Sequence, residues 1–240
     1  MKWETLSGCP NCGGRATRPW CDGSDRLHRM ADERFHFERC SSCHVSFMSP
    51  RPEEENIGRF YPEDYGPYVP SGGEPRKAVP ARKKPPKSPR WKRVVLGGVR
   101  RLNRAADVVW PNPLKGTLDE TYGEGNGRSF LDFGCGSDAF LNLMRKKGWT
   151  TTGMDVSSTT VDFVVRSGHR GILVNSECWT QIEDESLDLV RMNHVLEHLY
   201  RPKAVLRELR RKLRRGGVLH IAVPNPASFG AQAFKSAWYP

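Results

Sequence analysis

From Arg128 onward the chain alternates short apolar runs with helical stretches, and this alternation constrains the fold more than any other feature. Ser129-Phe130-Leu131-Asp132-Phe133 reads as a buried strand, followed by a glycine turn and a helix over 139–147. Thr150 to Asp155 predicts a second strand, Ser157 to Ser167 a second helix, and Gly171 to Val174 a third strand. Leu187 to Met192 predicts a fourth strand with a helix over 201–214 behind it, and Gly217 to Val223 a fifth, ended by Pro224-Asn225-Pro226. Strands alternating with helices at this spacing build βαβ units, hence an α/β fold with a doubly wound, mostly parallel sheet.

The front of the chain carries a different signal. Cys9-Pro10-Asn11-Cys12 and Cys40-Ser41-Ser42-Cys43 are two C-x-x-C pairs with 27 residues between them. Each pair turns two thiolates toward one point, and two pairs complete a closed tetrahedral site of four thiolates. We read structural zinc on Cys9, Cys12, Cys40 and Cys43. An iron–sulfur centre is the alternative for the same thiolates, whereas a redox C-x-x-C needs one pair and a thioredoxin-like setting. His44 and Cys21 read as bystanders. A bound zinc contributes roughly 10–16 kcal/mol to folding such a small module.

Charge separates these two parts. The formal net charge is +11, yet residues 76–104 hold twelve Lys and Arg and no acid. Taking those twelve from 38 basic residues leaves 26 against 27 acidic ones, so the remainder is near neutral, which argues against nucleic acid as a partner. Residues 67–90 hold seven of the 18 prolines and read as a Pro/Lys-rich linker. After Trp91, Val95, Val99, Leu102, Ala106 and Val109 recur at helical spacing, with Lys and Arg mostly off the stripe. Residues 91–127 are thus a basic amphipathic helix and connector, and 91–109 could meet an anionic membrane surface. The expected division is a zinc-ribbon-like module over 1–66, the linker, this connector, and the α/β domain over 128–240. Cysteine usage without an export signal at Met1-Lys2-Trp3-Glu4-Thr5 predicts a cytoplasmic protein.

Ligand chemistry is expected where the first strand hands over to the first helix. Gly134 and Gly136 let a ligand approach the backbone, because no Cβ intervenes. Such a turn alone is often only a tight connection. Asp155, ending the second strand, adds a carboxylate able to accept both ribose hydroxyls of a nucleoside. The turn is not G-x-G-x-x-G, which points to a smaller nucleoside-bearing cofactor than a dinucleotide.

Four segments together resemble a known family. Asp132-Phe133-Gly134-Cys135-Gly136, Gly153-Met154-Asp155, Asp188-Leu189-Val190 with Asn193 to Leu199, and Leu213 to Leu219 are similar, in order and spacing, to the class I S-adenosylmethionine-dependent methyltransferases. The front of the chain, with Pro50-Arg51-Pro52 and Phe60 to Tyr65 after the cysteine pairs, looks like bacterial members with an N-terminal zinc-ribbon-like module. Some of those methylate nucleotide-linked sugars or other small metabolites. The resemblance implies S-adenosylmethionine as cofactor and methyl transfer to a small-molecule acceptor such as a sugar, glycan precursor or secondary metabolite. Asp132, Gly134, Cys135 and Gly136 would shape the pocket for its methionine part. Asp155 would hold the ribose, Val156 would pack on the adenine, and Ser176 and Glu177 would approach the adenine edge. Asn193 would lie under the cofactor, and His194 and His198 would face the substrate as candidate catalytic groups.

Two features depart from the family pattern. Asp138 stands at the third glycine of the turn, where it would cap the next helix or repel the cofactor's carboxylate. The family sheet has seven strands against five here, so the resemblance implies a C-terminally incomplete sheet and weak activity. His194-Val195-Leu196-Glu197-His198 also spells H-x-x-E-H, a metallopeptidase-like string that its setting argues against. Some metal-dependent RNA and quinone-pathway O-methyltransferases carry a Glu/His cluster here, completed by a more distal ligand. A non-catalytic adaptor on a methyltransferase fold, or a nucleic-acid methyltransferase, are the alternative functions. Cofactor binding separates the adaptor from the enzymes.

Overall fold

A computed structural model describes residues 2–24, 34–60 and 122–234; the linker and the 91–109 segment lie outside the described residues. In the N-terminal part, β1 (Trp3–Glu4) pairs antiparallel with β5 (Arg51–Pro52). Between them β2 (Thr17–Ser24), β3 (Arg34–Cys40) and β4 (Ser46–Met48) form a three-stranded antiparallel sheet. Aromatic pairs stand in for a large core: Trp3 lies 6.1 Å from Phe35 and Trp20 6.3 Å from Phe37, ring centre to ring centre.

The second part is the expected parallel sheet. Its strands are β6 (Ser129–Phe133), β7 (Thr150–Asp155), β8 (Arg170–Leu173), β9 (Leu187–Asn193) and β10 (Leu213–Ala222), in the order β10-β9-β6-β7-β8. Every pairing is parallel. The chain winds outward from β6 through β7 to β8, then returns to β6's other side for β9 and β10. The topological switch therefore lies between β6 and β9, and ligands of such sheets bind at the strands' carboxyl ends there.

Strand period and helix stripes divide the core into two layers. Leu131 and Phe133 pack with Met154, Ile172, Val190, Met192 and Leu209 on one face, and Leu209 comes from α3 (Pro202–Lys212). Phe130 packs on the other face with Leu189, Trp149, Leu141 and Met144 of α1 (Ala139–Lys146), and Val164 of α2 (Ser158–Arg166). Ser157 caps α2 by accepting the Thr160 N–H at 3.2 Å. A short α4 (Phe229–Phe234) follows the sheet.

Two boundaries differ from expectation. The third helix is shorter than 201–214, because Pro202 occupies its first turn and the backbone turns extended at Leu213. The fifth strand starts at Leu213 rather than Gly217. Leu213 pairs with Leu187, the register then slips, and pairing resumes at Val218 with Leu189. Gly216, at φ +78°, makes that bulge, which is pinned by Asp188 accepting from Arg214 Nε.

Candidate functional site

The β6 turn is built around two left-handed glycines, Gly134 at φ +72° and Gly136 at φ +62°. Gly134 and Cys135 both donate their N–H to the Met154 carbonyl of β7, at 2.7 and 3.2 Å. A Cβ on Gly134 would lie 2.4 Å from Val195 Cγ2, so the turn is seated against the segment leaving β9. Gly136 N–H donates to Asp155 Oδ2 at 2.9 Å, and Ser157 N–H to Asp155 Oδ1 at 3.0 Å. Burial raises the Asp155 carboxyl above its usual range, against the opposing pull of these N–H groups. The Val156 N–H also pulls on this carboxylate, so of its roughly four lone-pair positions about one stays open for a further donor.

Around this link stand the other expected residues. Val156 is 67% exposed beside Asp155. Ser176 and Glu177 are exposed in the loop after β8, where Glu177 N–H donates to Asn175 Oδ1 at 2.9 Å. Asn193, half-buried, ends β9 opposite Ala222. All lie at the carboxyl ends of β6, β7, β8 and β9, the face where the fold places ligands. Backbone without Cβ, a buried carboxylate with a spare acceptor position and an exposed apolar neighbour fit a nucleoside ligand.

A family profile described as a methyltransferase domain matches residues 100–240. The chain belongs to the methyltransferase-domain family. It is 28% identical over 127 residues to a ubiquinone biosynthesis O-methyltransferase of Actinobacillus pleuropneumoniae, covering 48% of this chain and 53% of that protein. A second such enzyme, of Parvibaculum lavamentivorans, is 29% identical over 101 residues, covering 40% of each. The chain thus spans about half the length, or less, of these relatives. Among solved structures, a SAM-dependent methyltransferase from Archaeoglobus fulgidus is 24% identical, with 50% of this chain and 55% of that one covered and a TM-score of 0.41.

Two acidic residues of the methyltransferase domain are held from within the fold, and for Asp138 the expected helix cap is not made. Asp132 is fully buried, and Arg191 of β9, its register partner, donates through one Nη to both carboxylate oxygens at 2.9 and 3.0 Å. Burial raises the Asp132 carboxyl to about 6, with Arg191 holding it down against that. Arg191 in turn lies 3.9 Å over the Phe140 ring. Asp132 therefore anchors the turn from beneath. Asp138 does not cap α1. It is buried, Oδ2 accepts from Asn142 Nδ2 at 2.7 Å, and Oδ1 has no hydrogen-bond partner among the described residues. The chain of bonds continues: Asn142 Oδ1 lies 3.1 Å from His169 Nε2, and His169 Nδ1 lies 2.6 Å from Thr151 Oγ1. Arg191 went unread in the sequence, although a buried strand with an aspartate calls for a buried cation, and Leu189-Val190-Arg191-Met192 offers one.

Beyond β9 the backbone turns at His194, which adopts φ +54° and donates its N–H to the Ala222 carbonyl at 2.9 Å. Glu197 Oε1 lies 3.4 Å from His194 Nδ1 and 4.0 Å from His198 Nε2. His194 and His198 are exposed beside the glycine turn's packing partner Val195.

Among the described residues, one group is arranged to hold a metal ion: Cys9, Cys12, Cys40 and Cys43, with all four sulfurs within 4.8 Å of one another. Cys9 and Cys43 sulfurs are 3.5 Å apart, Cys12 and Cys40 3.6 Å. Tetrahedral zinc with Zn–S bonds of ~2.3 Å needs sulfurs about 3.8 Å apart, so the donor set and its spacing fit. Both pairs use one turn: Gly13 N–H donates to the Cys9 carbonyl and His44 N–H to that of Cys40, with both donors at positive φ. The Val45 N–H, foremost, pulls the Cys43 thiol down to about 6 and the Cys43 N–H lowers Cys40, whereas the neighbouring sulfurs push Cys12 up to about 11 against the pull of the Gly14 N–H.

Proposed function

We propose that the chain carries out S-adenosylmethionine-dependent methyl transfer to a small-molecule acceptor, with zinc as a structural ion in the four-cysteine site. The Gly136 N–H to Asp155 hydrogen bond supports this reading most directly. It ties a Cβ-free turn to a buried carboxylate across two adjacent strand ends, the arrangement a nucleoside with a charged tail requires. S-adenosylmethionine, when bound, supplies an electrophilic methyl group on a sulfonium. This chain's residues align and shield. Asp155 accepts ribose hydroxyls, Val156 covers the adenine face, and Ser176 and Glu177 approach its edge. Gly134, Cys135 and Gly136 border the methionine part on the base that Asp132 and Arg191 provide. Asn193 lines the floor.

In-line transfer demands mainly alignment and exclusion of water. His194 and His198, both near Glu197, would take the proton an acceptor hydroxyl releases. A small acceptor accords with the near-neutral body outside 76–104, and with relatives named as O-methyltransferases of ubiquinone biosynthesis. Titration calorimetry with S-adenosylmethionine and S-adenosylhomocysteine should show binding. Asp155→Ala should weaken it by about 1.5–3 kcal/mol, the value of hydrogen bonds to a charged group. Absence of binding by folded wild-type protein would refute the reading and favour an adaptor.

A further inference from the structure

The turn between the histidine segment and α3 is gripped by the cysteine module. Tyr200 Oη donates to the Pro52 carbonyl at 2.5 Å, and the Arg51 guanidinium lies 4.3 Å over the Tyr200 ring. Arg51 is held by its cross-strand neighbour Glu4, Nε to Oε1 2.6 Å. A separate stretch makes a second grip: Lys203 Nζ, in the first turn of α3, donates to the Asn11 carbonyl. Asn11 lies between Cys9 and Cys12, inside the knuckle itself. Glu4, Arg51, Glu53, Glu54, Tyr200 and Arg201 line an open cleft of about 270 Å³ beside these contacts.

A further observation shows why the segment needs holding. His194 sits at φ +54° without being glycine. Such backbone strain persists only where surrounding structure over-determines it. Val195 below is pressed on Gly134, while Tyr200 and Lys203 beyond are fixed by the module.

We propose that the cysteine module is a metal-dependent clamp on residues 194–203, with Tyr200 and Lys203 as its positioning residues. Ligation of an ion by Cys9 and Cys12 fixes the peptide between them, and with it the Asn11 carbonyl that Lys203 meets. Loss of the ion unfolds modules of this size, since metal binding is their folding energy. Both grips then open, and the segment bearing His194, Glu197 and His198 is released. That this segment faces an acceptor rests on the methyl-transfer reading; the clamp itself does not.

Hydrogen–deuterium exchange of the whole chain tests it, zinc-loaded and after chelation. Chelation should speed exchange in peptides covering 194–203 by about tenfold or more, while peptides from β6 through α2 change less than about twofold. In loaded protein, Tyr200→Phe should speed exchange at 194–203 by about fivefold, the worth of one hydrogen bond, and Lys203→Met should act alike. Unchanged exchange there, once residues 2–24 have loosened, overturns the clamp. So does an equal rise through β6 to α2, or a protein that takes up no zinc. Titrating S-adenosylhomocysteine in parallel keeps the readings apart: failure to bind refutes methyl transfer and leaves the exchange result standing.

Discussion

Replacing Arg191 by Met should unbalance the floor of the glycine turn. Asp132 is fully buried, and among the described residues Arg191 is the cation that reaches both its oxygens. Raising a carboxyl from 3.8 to about 6 on folding already costs the native state about 3 kcal/mol at neutral pH. A raised carboxyl binds its proton more tightly when folded, so this cost is absent below pH 3.8 and complete once pH exceeds about 6. Removing Arg191 deletes the attraction that opposes burial, and the variant should keep Asp132 protonated at neutral pH. Breaking a buried pair from one side costs about 3–5 kcal/mol. We therefore expect Arg191→Met to lose about 3–5 kcal/mol at pH 8 in zinc-saturated urea denaturation, followed by far-ultraviolet circular dichroism. At pH 5 wild-type Asp132 is itself largely protonated, so the loss should shrink to roughly half. Adding Asp132→Asn should recover about 1–2 kcal/mol at pH 8, because no buried charge remains unpaired. A loss below about 1 kcal/mol, equal at both pH values, would refute the view that this ion pair holds the turn.

Two further outcomes follow from the geometry. Elemental analysis of purified protein should find about one zinc per chain, and a Cys9→Ser/Cys40→Ser variant should lose it; undiminished zinc would remove the four-cysteine site from consideration. Gly134→Ala places a Cβ 2.4 Å from Val195 Cγ2 at φ +72°, a backbone cost of about 1–2 kcal/mol before any clash. Its affinity for S-adenosylhomocysteine should fall at least about tenfold by calorimetry, and wild-type affinity would show that the turn does not border the ligand.

What the sequence disclosed here was local. Phe130, Leu131 and Phe133 are apolar on both sides of their strand because both sheet faces are covered, so the strand shows itself without knowledge of its neighbours. Cys9, Cys12, Cys40 and Cys43 announce their site because ligand spacing is a property of the turn. The bulge at Gly216 was hidden, since it depends on where Leu213 and Val218 fall against Leu187 and Leu189. The grip of Tyr200 on Pro52 was hidden for the same reason, the partners being 148 positions apart in the chain.

The three aspartates around the carboxyl ends of β6 and β7 show how register divides labour among identical side chains. In sequence the family resemblance gives Asp132 and Asp155 to the pocket, while Asp138 reads as a helix cap or as a charge that would repel the cofactor's carboxylate. Register places Asp132 opposite Arg191, so its charge is answered inside the sheet. Asp155 ends the adjacent strand, where it is answered by the backbone N–H groups of Gly136, Ser157 and Val156 and keeps roughly one acceptor position in reserve. Asp138 lies one helical turn before Asn142, and that amide binds it from the side instead of leaving it to cap α1. A carboxylate at the start of a helix and bound from within it cannot swing toward a ligand's own carboxylate without losing its bond from Asn142, an amide that His169 meets through its other end. Asp138 is thereby bonded inward, and Asp155, at the end of β7 beside the turn, is the carboxylate that keeps an acceptor position to offer.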